Sequence, residues 1–577
     1  MKFTNNTGLL VADTSINPYH NIALDNAKLN ETFSKYILSA SGFRNQYSKD
    51  EEDRTVEISS EDKIITHLIA SSFFSFLNCK NPKILIGMDS RPTGSSIANI
   101  AIATLLSLGC EVSFIFISSA PQAMAYSKNF DAFFYVSASH NPIAHNGFKM
   151  GIDGGVFNKE EAGVLIQILK DKVANFNSLD SLIYDEEQMN NVYSSWEEEN
   201  KKSLDYYKEF VLKTAKLDSN FKVNNIGIVA DFNGSARSVT IDEEFLSSIG
   251  VKFHSINNKV REVAHSIIPE GENLLFCAAE AEKLHKLDKD ITLGYMCDND
   301  GDRGNFIYYN EGFKTLEAQE GFALLVAIAI ANQDLNKESN IAVAVNCATS
   351  LRIKEIASYF NAKVFTGEVG EANMVNLALK CIKDGYNVNI LGEGSNGGNI
   401  TFPAKVRDPL NSIMSILKLF NDENLLNHLC TKLNISGEKS ISSIINSFPS
   451  YITTPTGIKD AQIKLKSKNY VALKKNYLSL LDSSLAELHS IIDFTSYSVK
   501  HTEGLVEYVN ESYKSKEASG GMKIVLEEKG KEIAFLWLRP SGTEALCRVI
   551  VDVKTKDQQL HDNLLAFHRK LVLDSDK

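Results

Sequence analysis

Short apolar runs followed by helix-forming stretches recur along this chain, and this alternation constrains its fold more than any other feature. A strand-like run at 83–87 leads into an amphipathic to buried helical stretch at 95–107, then into a second strand-like run at 111–116. The same order restarts at 226–230 and at 341–345, although no tandem sequence repeat is visible. Strands that alternate with helices are typical of βαβ units. The sequence therefore predicts three consecutive α/β modules.

The remainder of the chain predicts a smaller fourth domain. Strand-like runs at 523–527 and 532–538 suit an α+β domain. At 577 residues the chain has room for about four domains on a prior of ~150 residues each. The segment 421–481 is rich in Asn, Lys and Ser with helical spacing and is interpreted as a helical insertion. The predicted divisions are an N-terminal extension at 1–34, modules at 35–215, 216–332 and 333–485, and the last domain at 486–577.

Composition and charge exclude several classes of protein. With 60 basic and 72 acidic residues, the net charge of −12 argues against nucleic acid or an anionic membrane as the main partner. The amino terminus lacks the pattern of a secretion signal, and the apolar run at 321–331 is too short to span a bilayer, so a cytoplasmic protein is expected. Eight scattered cysteines without a Cys-x-x-Cys pair indicate neither a zinc site nor a disulfide framework.

The sequence Ser-His-Asn-Pro at 139–142 is the first candidate for chemistry. It follows an apolar, aromatic run at 131–136 that predicts a buried strand, so Ser139 is expected at a strand tip. A hydroxyl held there beside His140 is placed to carry a covalent group between two half-reactions. A serine that only caps a turn is the common alternative for any isolated Ser-His pair.

A cluster of aspartates indicates a metal site. Asp298, Asp300 and Asp302 alternate around a glycine, and bare like charges at such spacing repel, so a hard divalent cation such as Mg²⁺ or Ca²⁺ is implied. An EF-hand does not fit, because its sixth and twelfth positions would be Arg303 and Tyr309 instead of Gly and Glu. Arg303 beside the ion suits a phosphate oxygen. A solvated acidic turn is the alternative.

Two further loops offer groups for a sugar and an anion. In the glycine-rich stretch 392–398, Glu393 and Ser395 can bind vicinal sugar hydroxyls, although a flexible loop is the default interpretation of such a stretch. The loop that begins at Arg539 combines guanidinium groups, hydroxyls and a glycine-opened run of amides, which suits phosphate. The candidate anion ligands are Arg539, Ser541, Gly542, Thr543 and Arg548.

Taken in this order, the four segments resemble the α-D-phosphohexomutases, that is, the phosphoglucomutases and phosphomannomutases. The segments are Ser-Ala-Ser-His-Asn-Pro, Asp-Asn-Asp-Gly-Asp-Arg, Gly-Glu-Gly-Ser and Arg-Pro-Ser-Gly-Thr-Glu. The resemblance covers roughly residues 35 to 555. Shorter segments support it: Ser-Gly-Phe-Arg at 41–44, Gly-Met-Asp-Ser-Arg at 87–91 and Asn-Gly-Phe-Lys at 146–149.

The resemblance implies a mechanism. Ser139 would carry a phosphoryl group, give it to a hexose monophosphate and recover one from a hexose 1,6-bisphosphate intermediate. The three aspartates, with Ser139, would hold Mg²⁺, and Lys149 and His140 would act as general acid and base beside Arg44. Arg303, Arg407, Glu393 and Ser395 would contact substrate, and the Arg539 loop would hold the phosphate that is not reacting. A central cleft closed by the last domain as a lid is implied as well.

Departures from the family pattern leave the preferred hexose open. Arg407-Asp-Pro stands where the family has an Asp-Gly pair, and the sugar loop lacks the usual aromatic or histidine tail. We expect glucose phosphates, with mannose phosphates or both sugars as the alternative. Outside the class, a metal-dependent sugar phosphatase would release inorganic phosphate, and a non-catalytic regulator would be expected to lack Ser139 or the aspartates. The sequence leaves the oligomeric state open.

Overall fold

The computed structural model describes residues 1–576 except 21, 23, 49, 51–54, 180–182, 512–517, 519 and 542–545, and describes only the backbone at 396 and 398. The chain forms two compact units. The first comprises Met1–Thr315 and Pro403–Asn411, and the second comprises Leu316–Phe402 and Ser412–Lys577. The first unit is therefore discontinuous in sequence.

The first unit contains a small hairpin and two mixed sheets. The hairpin pairs β1 (Lys2–Thr4) with β2 (Leu10–Asp13). The strands of the first mixed sheet are β3 (Ile37–Ser39), β4 (Gly42–Gln46), β5 (Lys83–Met88), β6 (Glu111–Ile117), β7 (Ala132–Val136), β8 (His145–Ile152) and β9 (Gly155–Val156). Those of the second are β10 (Gly227–Asp231), β11 (Lys252–Ile256), β12 (Ile291–Cys297), β13 (Gly304–Tyr309) and β14 (Phe313–Thr315).

Nine helices surround these sheets among the described residues of the first unit. They are α1 (Asn26–Ser34), α2 (Ser60–Leu77), α3 (Gly94–Ser107), α4 (Ala120–Tyr126), α5 (Lys159–Ala174), α6 (Glu186–Ser194), α7 (Trp196–Thr214), α8 (Asp242–Ser248) and α9 (Leu274–Leu287). Helices cover both faces of the first mixed sheet, because its strands are apolar on both sides. Along β5, Ile84 and Ile86 belong to the core that contains α2 and α3, whereas Leu85 belongs to the core that contains α4.

The second unit has one mixed and one antiparallel sheet. The mixed sheet contains β15 (Ile341–Asn346), β16 (Lys363–Gly367), β17 (Asn387–Glu393) and β18 (Gly398–Thr401). The antiparallel sheet contains β19 (Ile452–Thr453), β20 (Gln462–Lys464), β21 (Ser496–Glu503), β22 (Val506–Val509), β23 (Met522–Glu528), β24 (Lys531–Pro540) and β25 (Leu546–Val553). Its helices are α10 (Ala318–Leu335), α11 (Arg352–Ser358), α12 (Glu371–Lys383), α13 (Pro409–Asn421, whose first three residues belong to the first unit), α14 (Glu423–Lys432), α15 (Ile441–Ser447), α16 (Tyr470–Ser483), α17 (Leu485–Ile491) and α18 (Gln558–Ser575).

The three predicted α/β modules share one strand topology, which confirms the predicted fold class. In each mixed sheet a central strand is flanked by two parallel strands, and the second of these turns back into an antiparallel partner. The orders are β6-β5-β7-β8, β11-β10-β12-β13 and β16-β15-β17-β18. The last sheet is antiparallel throughout its described pairs, as an α+β domain requires.

The modules also repeat a local turn that the sequence does not reveal. A polar residue stands at the end of each central strand, and its side chain accepts a hydrogen bond from the amide two residues further on. The bonds are Arg91 N to Asp89 Oδ1 (3.0 Å), Asn233 N to Asp231 Oδ1 (3.1 Å) and Ala348 N to Asn346 Oδ1 (3.1 Å). Each is an Asx-turn that bends the chain at the carboxyl edge of its sheet.

The N-terminal extension is part of the first unit's core. Val11 and Leu29 are buried in the core cluster that contains α2 and α3. The Tyr19 hydroxyl donates to the carbonyl oxygen of Ile100 in α3 at 3.0 Å. The extension therefore covers the outer surface of the two helices that lie on the sheet.

The segment 421–481, predicted as an extended helical insertion, is only partly helical. It contains α14, α15 and the start of α16, but between α15 and α16, β19 and β20 pair with β25 at the edge of the last sheet. Edge strands of two and three residues carry too little periodicity for the sequence to reveal them. Among the residues that the structure describes, no helix has the length and apolarity needed to cross a membrane.

Candidate active site

The three sequence motifs occupy the same topological position in their modules. Ser139 lies between β7 and β8, the aspartate loop lies between β12 and β13, and Glu393 ends β17 just before β18. In each case the motif follows the second parallel neighbour of the central strand, at the carboxyl edge of the sheet. Ligands bind at this edge in open α/β sheets, because the loops there are free to vary while the strands hold them in place.

Ser139 is held in a strained backbone conformation. Its φ is +53°, in the left-handed region that non-glycine residues seldom adopt. The residue is 1% exposed, and its Oγ donates to Asp298 Oδ2 at 3.0 Å. Its amide donates to Ser137 Oγ at 2.8 Å. Strain of this kind persists only where the surroundings fix it, and it is concentrated at functional sites.

Arg91 fixes the backbone of the serine loop between Ser139 and His145. Its Nη2 donates to the carbonyl oxygens of Ser139 and Asn141, both at 2.6 Å. Its Nη1 donates to those of Pro142 (2.5 Å) and His145 (3.0 Å). Its Nε pairs with Asp89 at 3.1 Å, and both side chains are fully buried. One guanidinium group thus determines the path of the loop that presents the serine.

The aspartate loop of the second module meets the serine loop of the first within the same unit. Candidate ligand oxygens of Asp298, Asp300 and Asp302 lie within 4.8 Å of one another, and all three residues are buried. Lys149 Nζ donates to Asp300 Oδ2 at 2.5 Å and to Asp302 Oδ2 at 2.8 Å. Burial and the charges of the other two aspartates raise the pKa of Asp298 well above its usual range. Lys149 alone therefore does not compensate the negative charge of the three aspartates.

The residues of this cluster fit a hard divalent cation. The Oδ1 atoms of Asp300 and Asp302 are buried and lack a hydrogen-bond partner among the described residues. Such atoms are costly unless they bind something. An all-oxygen donor set is what Mg²⁺ and Ca²⁺ prefer, and these ions bind at about 2.0–2.6 Å from oxygen.

Buried Arg237 supports the aspartate loop. It donates from Nε to the carbonyl oxygen of Gly301 at 3.1 Å and pairs with Asp242 (3.0 Å) and Asp408 (2.6 Å). Gly301 has φ +69°, and a Cβ there would lie 2.7 Å from Arg237 Cγ. The glycine is needed both for the turn and for the close approach of Arg237.

Cationic groups surround the serine and the aspartates. The charge of Arg303, then burial and the charges of Arg44 and Arg407, depress the pKa of His140 far below its ordinary value of 6.5. Burial and the charge of Arg303 lower the pKa of Arg44 to about 10. Arg407 Nη2 donates to Asp302 Oδ2 at 2.8 Å. His140 Nδ1 lies 3.5 Å from Ser139 Oγ, the outer limit of a hydrogen bond. This density of positive charge suits a phosphate group.

The predicted sugar ligands lie in the second unit, on the module that starts at β15. Glu393 is buried, and its Oε1 accepts from Asn346 Nδ2 at 3.1 Å and from the Gly370 amide at 2.7 Å. Ser395 is buried in the short turn that follows, where its carbonyl oxygen accepts from Thr456 Oγ1 at 2.9 Å. These contacts fix the Glu393 side chain and the backbone at Ser395.

The predicted phosphate ligands lie at the end of the last sheet. Arg539 on β24 stands directly opposite Arg548 on β25. Like charges opposite each other destabilise a sheet unless an anion lies between them. The Ser541 amide donates to the Leu546 carbonyl oxygen at 2.7 Å, which closes the base of the loop. Gly542 and Thr543 lie outside the described residues.

The structure thus brings together the predicted residues of the first unit, namely Arg44, Ser139, His140, Lys149, Asp298, Asp300, Asp302, Arg303 and Arg407. Glu393, Ser395, Arg539, Ser541 and Arg548 lie in the second unit. Sequence reasoning assigned no supporting role to Arg91 or Arg237. Arg91 lay in a segment with family resemblance, but no periodicity or spacing marks Arg237.

The chain is similar in sequence to several known proteins. Residues 39–174 match the family model described as phosphoglucomutase/phosphomannomutase, alpha/beta/alpha domain I. A phosphoglucomutase/phosphomannomutase of Thermococcus kodakarensis is 23% identical over 83% of this chain and 88% of its own length. A phosphoglucosamine/phosphogalactosamine mutase of Sulfurisphaera tokodaii is 25% identical over 85% of this chain and 92% of its own length.

Solved structures show the same fold. A phosphoglucomutase/phosphomannomutase family protein from Burkholderia thailandensis superposes with a TM-score of 0.61 at 14% identity, over 93% of this chain and 97% of that one. The open form of a Paramecium phosphoglucomutase, parafusin, gives a TM-score of 0.58 at 13% identity, over 92% and 96%. The two relatives that match most of the chain are both named mutases. Residues 39–174 match domain I of the phosphoglucomutase/phosphomannomutase family, and over most of its length the chain is similar to proteins of that name.

Proposed function

We propose that this protein interconverts hexose 1-phosphate and hexose 6-phosphate through a phosphorylated Ser139 and a hexose 1,6-bisphosphate intermediate, with glucose as the expected hexose. The observation that carries the proposal is the contact between Ser139 Oγ and Asp298 at 3.0 Å in a loop of strained backbone. A serine hydroxyl aimed at three buried carboxylates and ringed by cations suits phosphoryl transfer.

The proposed transfer moves one phosphoryl group and two protons, one from the sugar hydroxyl and one to the serine oxygen. The bond between phosphorus and Ser139 Oγ breaks as a bond forms to the free hydroxyl of the sugar. The proton of that hydroxyl passes to His140, which its cationic neighbours keep neutral. Lys149 returns a proton to the serine oxygen. Its ammonium group is directed into the site by Asp300 and Asp302. The second half-reaction reverses these roles with the other phosphate of the bisphosphate.

We assign Asp298, Asp300 and Asp302 to Mg²⁺. When bound, the ion would neutralise charge on the phosphoryl group in transfer. Mg²⁺ commonly takes a few carboxylates plus substrate phosphate, which matches a three-carboxylate cluster beside a phosphorylatable serine better than the larger ligand set of Ca²⁺. Arg44, Arg303 and Arg407 would bind phosphate oxygens around the same serine.

We assign the second unit to recognition of the sugar phosphate. Glu393 and Ser395 would bind sugar hydroxyls, and Arg539 with Arg548 would bind a phosphate group. Ser541, Gly542 and Thr543 are assigned to the same anion site. Vicinal hydroxyls are common to glucose and mannose, so these ligands alone do not select the sugar. The relatives include phosphoglucosamine mutases, which makes glucosamine phosphate part of the test.

A coupled assay tests the proposal with glucose, mannose and glucosamine 1-phosphates, each primed with the corresponding 1,6-bisphosphate and Mg²⁺. We expect turnover with at least one of them, highest with glucose, and no accumulation of inorganic phosphate. Ser139→Ala should abolish turnover, whereas Ser96→Ala, a hydroxyl on α3 outside the site, should not change it. Mass spectrometry should find phosphate on Ser139. Release of inorganic phosphate without isomerisation would establish a phosphatase instead.

A further inference from the structure

Glu368, a buried carboxylate of the second unit, contacts the proposed phosphate ligand Arg539. Glu368 directly follows β16 and is 7% exposed. Its Oε1 accepts from Arg539 Nε at 2.9 Å and from the Val369 amide at 3.2 Å. The carboxylate therefore reaches from the mixed sheet of the second unit to the end of β24 in the antiparallel sheet.

The other oxygen of Glu368 is fixed as firmly. Its Oε2 accepts from Thr502 Oγ1 at 2.7 Å and from the Gly521 amide at 2.8 Å. The Glu368 amide donates to the Gly504 carbonyl oxygen at 2.7 Å, so the backbone is anchored as well. At Gly520 a Cβ would lie 2.9 Å from Oε2, which leaves space for glycine only. With four donors on its two oxygens, the carboxylate has one orientation.

This fixed carboxylate determines how Arg539 presents its guanidinium group. Glu368 engages Nε alone, at the inner end of the planar fork. The Arg539 side chain is 31% exposed, and its Cα lies opposite Arg548 across the ladder. An arginine that is held at Nε keeps the edge formed by its two terminal amino groups in one plane. That edge is what binds two oxygens of a phosphate at once.

We propose that Glu368 is a positioning residue that orients Arg539 for bidentate binding of a substrate phosphate. The inference rests on the proposed phosphate-binding role of Arg539. A charge-assisted contact of this kind supports binding because it reduces the rotational freedom that Arg539 would otherwise lose when phosphate binds. Glu368 itself touches neither the substrate nor the reacting atoms.

The test is Glu368→Gln, because glutamine keeps the shape and one acceptor oxygen. That oxygen can still serve Thr502 and Gly521, while the new amide group opposes two donors, Arg539 Nε and the Val369 amide. Arg539 is then no longer held. We expect KM for the hexose phosphate to rise about tenfold with kcat nearly unchanged, since uniform binding is lost. A loss of fold would instead lower kcat in proportion to the unfolded fraction.

A double variant separates positioning from a general structural effect. In the Arg539→Ala background, Glu368→Gln should cause no further rise in KM, because no side chain remains to be oriented. Glu532→Gln is the matched control: it breaks the ion pairs with Lys354 (2.8 Å) and Lys500 (2.6 Å) near the start of the same strand and should leave KM unchanged. Thr502→Val removes a donor to Glu368 Oε2 but leaves the contact of Arg539 with Oε1, so it should raise KM less. It provides the test if Glu368→Gln does not fold.

The outcomes distinguish this inference from the proposed function. If Arg539→Ala raises KM and Glu368→Gln does not, Glu368 has no positioning role and the assignment of Arg539 stands. Equal KM increases from Glu368→Gln with and without Arg539 would also overturn the inference. If Arg539→Ala leaves KM unchanged, the proposed phosphate site and this inference both fail.

Discussion

At the scale of single residues, the serine loop depends on Arg91 as much as on the serine. Four carbonyl oxygens between Ser139 and His145 point at one guanidinium group, which Asp89 holds in turn. A planar group with five donors can satisfy this arrangement, and a lysine ammonium group with three cannot. The positive φ of Ser139 is stable because these contacts determine the backbone on both sides of it.

Arg91→Lys is therefore expected to impair catalysis more than binding. The loop would relax and displace Ser139 Oγ, and a misplacement of about 1 Å costs on the order of 100-fold in rate. We expect kcat to fall by roughly that factor. Steady-state kinetics measure the change, and phosphorylation of Ser139 by the bisphosphate should slow in parallel. A variant with normal kcat would show that the loop keeps its conformation without the Arg91 guanidinium group.

At the scale of elements, the aspartate loop between β12 and β13 depends on a tight turn around a buried side chain. Gly301 provides the turn, and Arg237 lies against it and binds its carbonyl oxygen. The same guanidinium group pairs with Asp408, whose neighbour Arg407 binds Asp302. The spacing of the three carboxylates is therefore set by packing behind the loop as well as by the loop itself.

Gly301→Ala is expected to weaken metal binding. The added methyl group would meet Arg237 Cγ and strain a positive φ, at a combined cost of about 1–3 kcal/mol. If this cost falls on the metal-binding geometry, the affinity for Mn²⁺ used as a probe should fall about 5- to 150-fold. Titration calorimetry or the electron paramagnetic resonance of free Mn²⁺ measures it. Gly271→Ala is the matched control, since Gly271 also has a positive φ but nothing lies within 4 Å of a Cβ there. Equal losses in the two variants would contradict a role for Arg237 packing.

The helix α18 carries a buried histidine that makes the second unit sensitive to acid. His568 Nε2 lies 2.9 Å from the Trp537 carbonyl oxygen, which can only accept, so Nε2 carries a proton. In the neutral ring Nδ1 accepts from the Tyr477 hydroxyl at 2.7 Å. Burial lowers the pKa of His568 from 6.5 to about 4. Between these values the unfolded chain binds a proton that the folded chain does not, so stability falls as the pH drops from 6.5 to 4.

His568→Gln should remove this dependence. Glutamine can donate to Trp537 and accept from Tyr477 without titrating. Denaturant unfolding, followed by Trp537 fluorescence in a Trp196→Phe background, should show that the variant loses on the order of 3 kcal/mol less than the parent between pH 6.5 and pH 4. His489→Gln, an exposed histidine of the same unit, should keep the parent's slope. An unchanged slope in His568→Gln would assign the acid sensitivity to other groups.

Local patterns in the sequence were sufficient to predict the modules, and long-range contacts were not predictable. Apolar runs located β5, β10 and β15, and the four motifs with their family resemblance located Ser139 and the aspartates. The contacts of Arg237 with Asp408 and of Glu368 with Arg539 join residues 171 positions apart in each case, and no periodicity encodes them. The repeated Asx-turns were also missed, because a lone Asp or Asn after a strand is ordinary turn composition.

At the scale of the whole molecule, the candidate metal ligands all belong to one unit. Asp298, Asp300 and Asp302 lie in the first unit, and so does Trp196, whereas Trp537 lies in the second. A ligand that binds only the folded first unit stabilises that unit by mass action. The two tryptophans therefore report separately on the effect of the metal.

We expect Mg²⁺ to stabilise the unit that contains Trp196 and not the other. At 100 times its Kd, the gain is about 2.7 kcal/mol. Thermal or denaturant unfolding of single-tryptophan variants, Trp537→Phe and Trp196→Phe, measures the two units in turn. Asp300→Asn should abolish the shift seen by Trp196. A shift of equal size at both tryptophans would show that the units unfold together.

The return of residues 403–411 to the first unit has a consequence for synthesis of the chain. The ribosome completes Thr315 about 100 residues before it reaches Asn411, a delay of at least several seconds at ~5–20 residues per second. During that interval Arg237 has Asp242 but lacks Asp408, and Asp302 has Lys149 but lacks Arg407, so each of these buried charges in the nascent first unit lacks one of its two charged partners. A fragment that ends at Thr315 would lack these two partners permanently. A truncated form of the first unit therefore has to include residues 403–411.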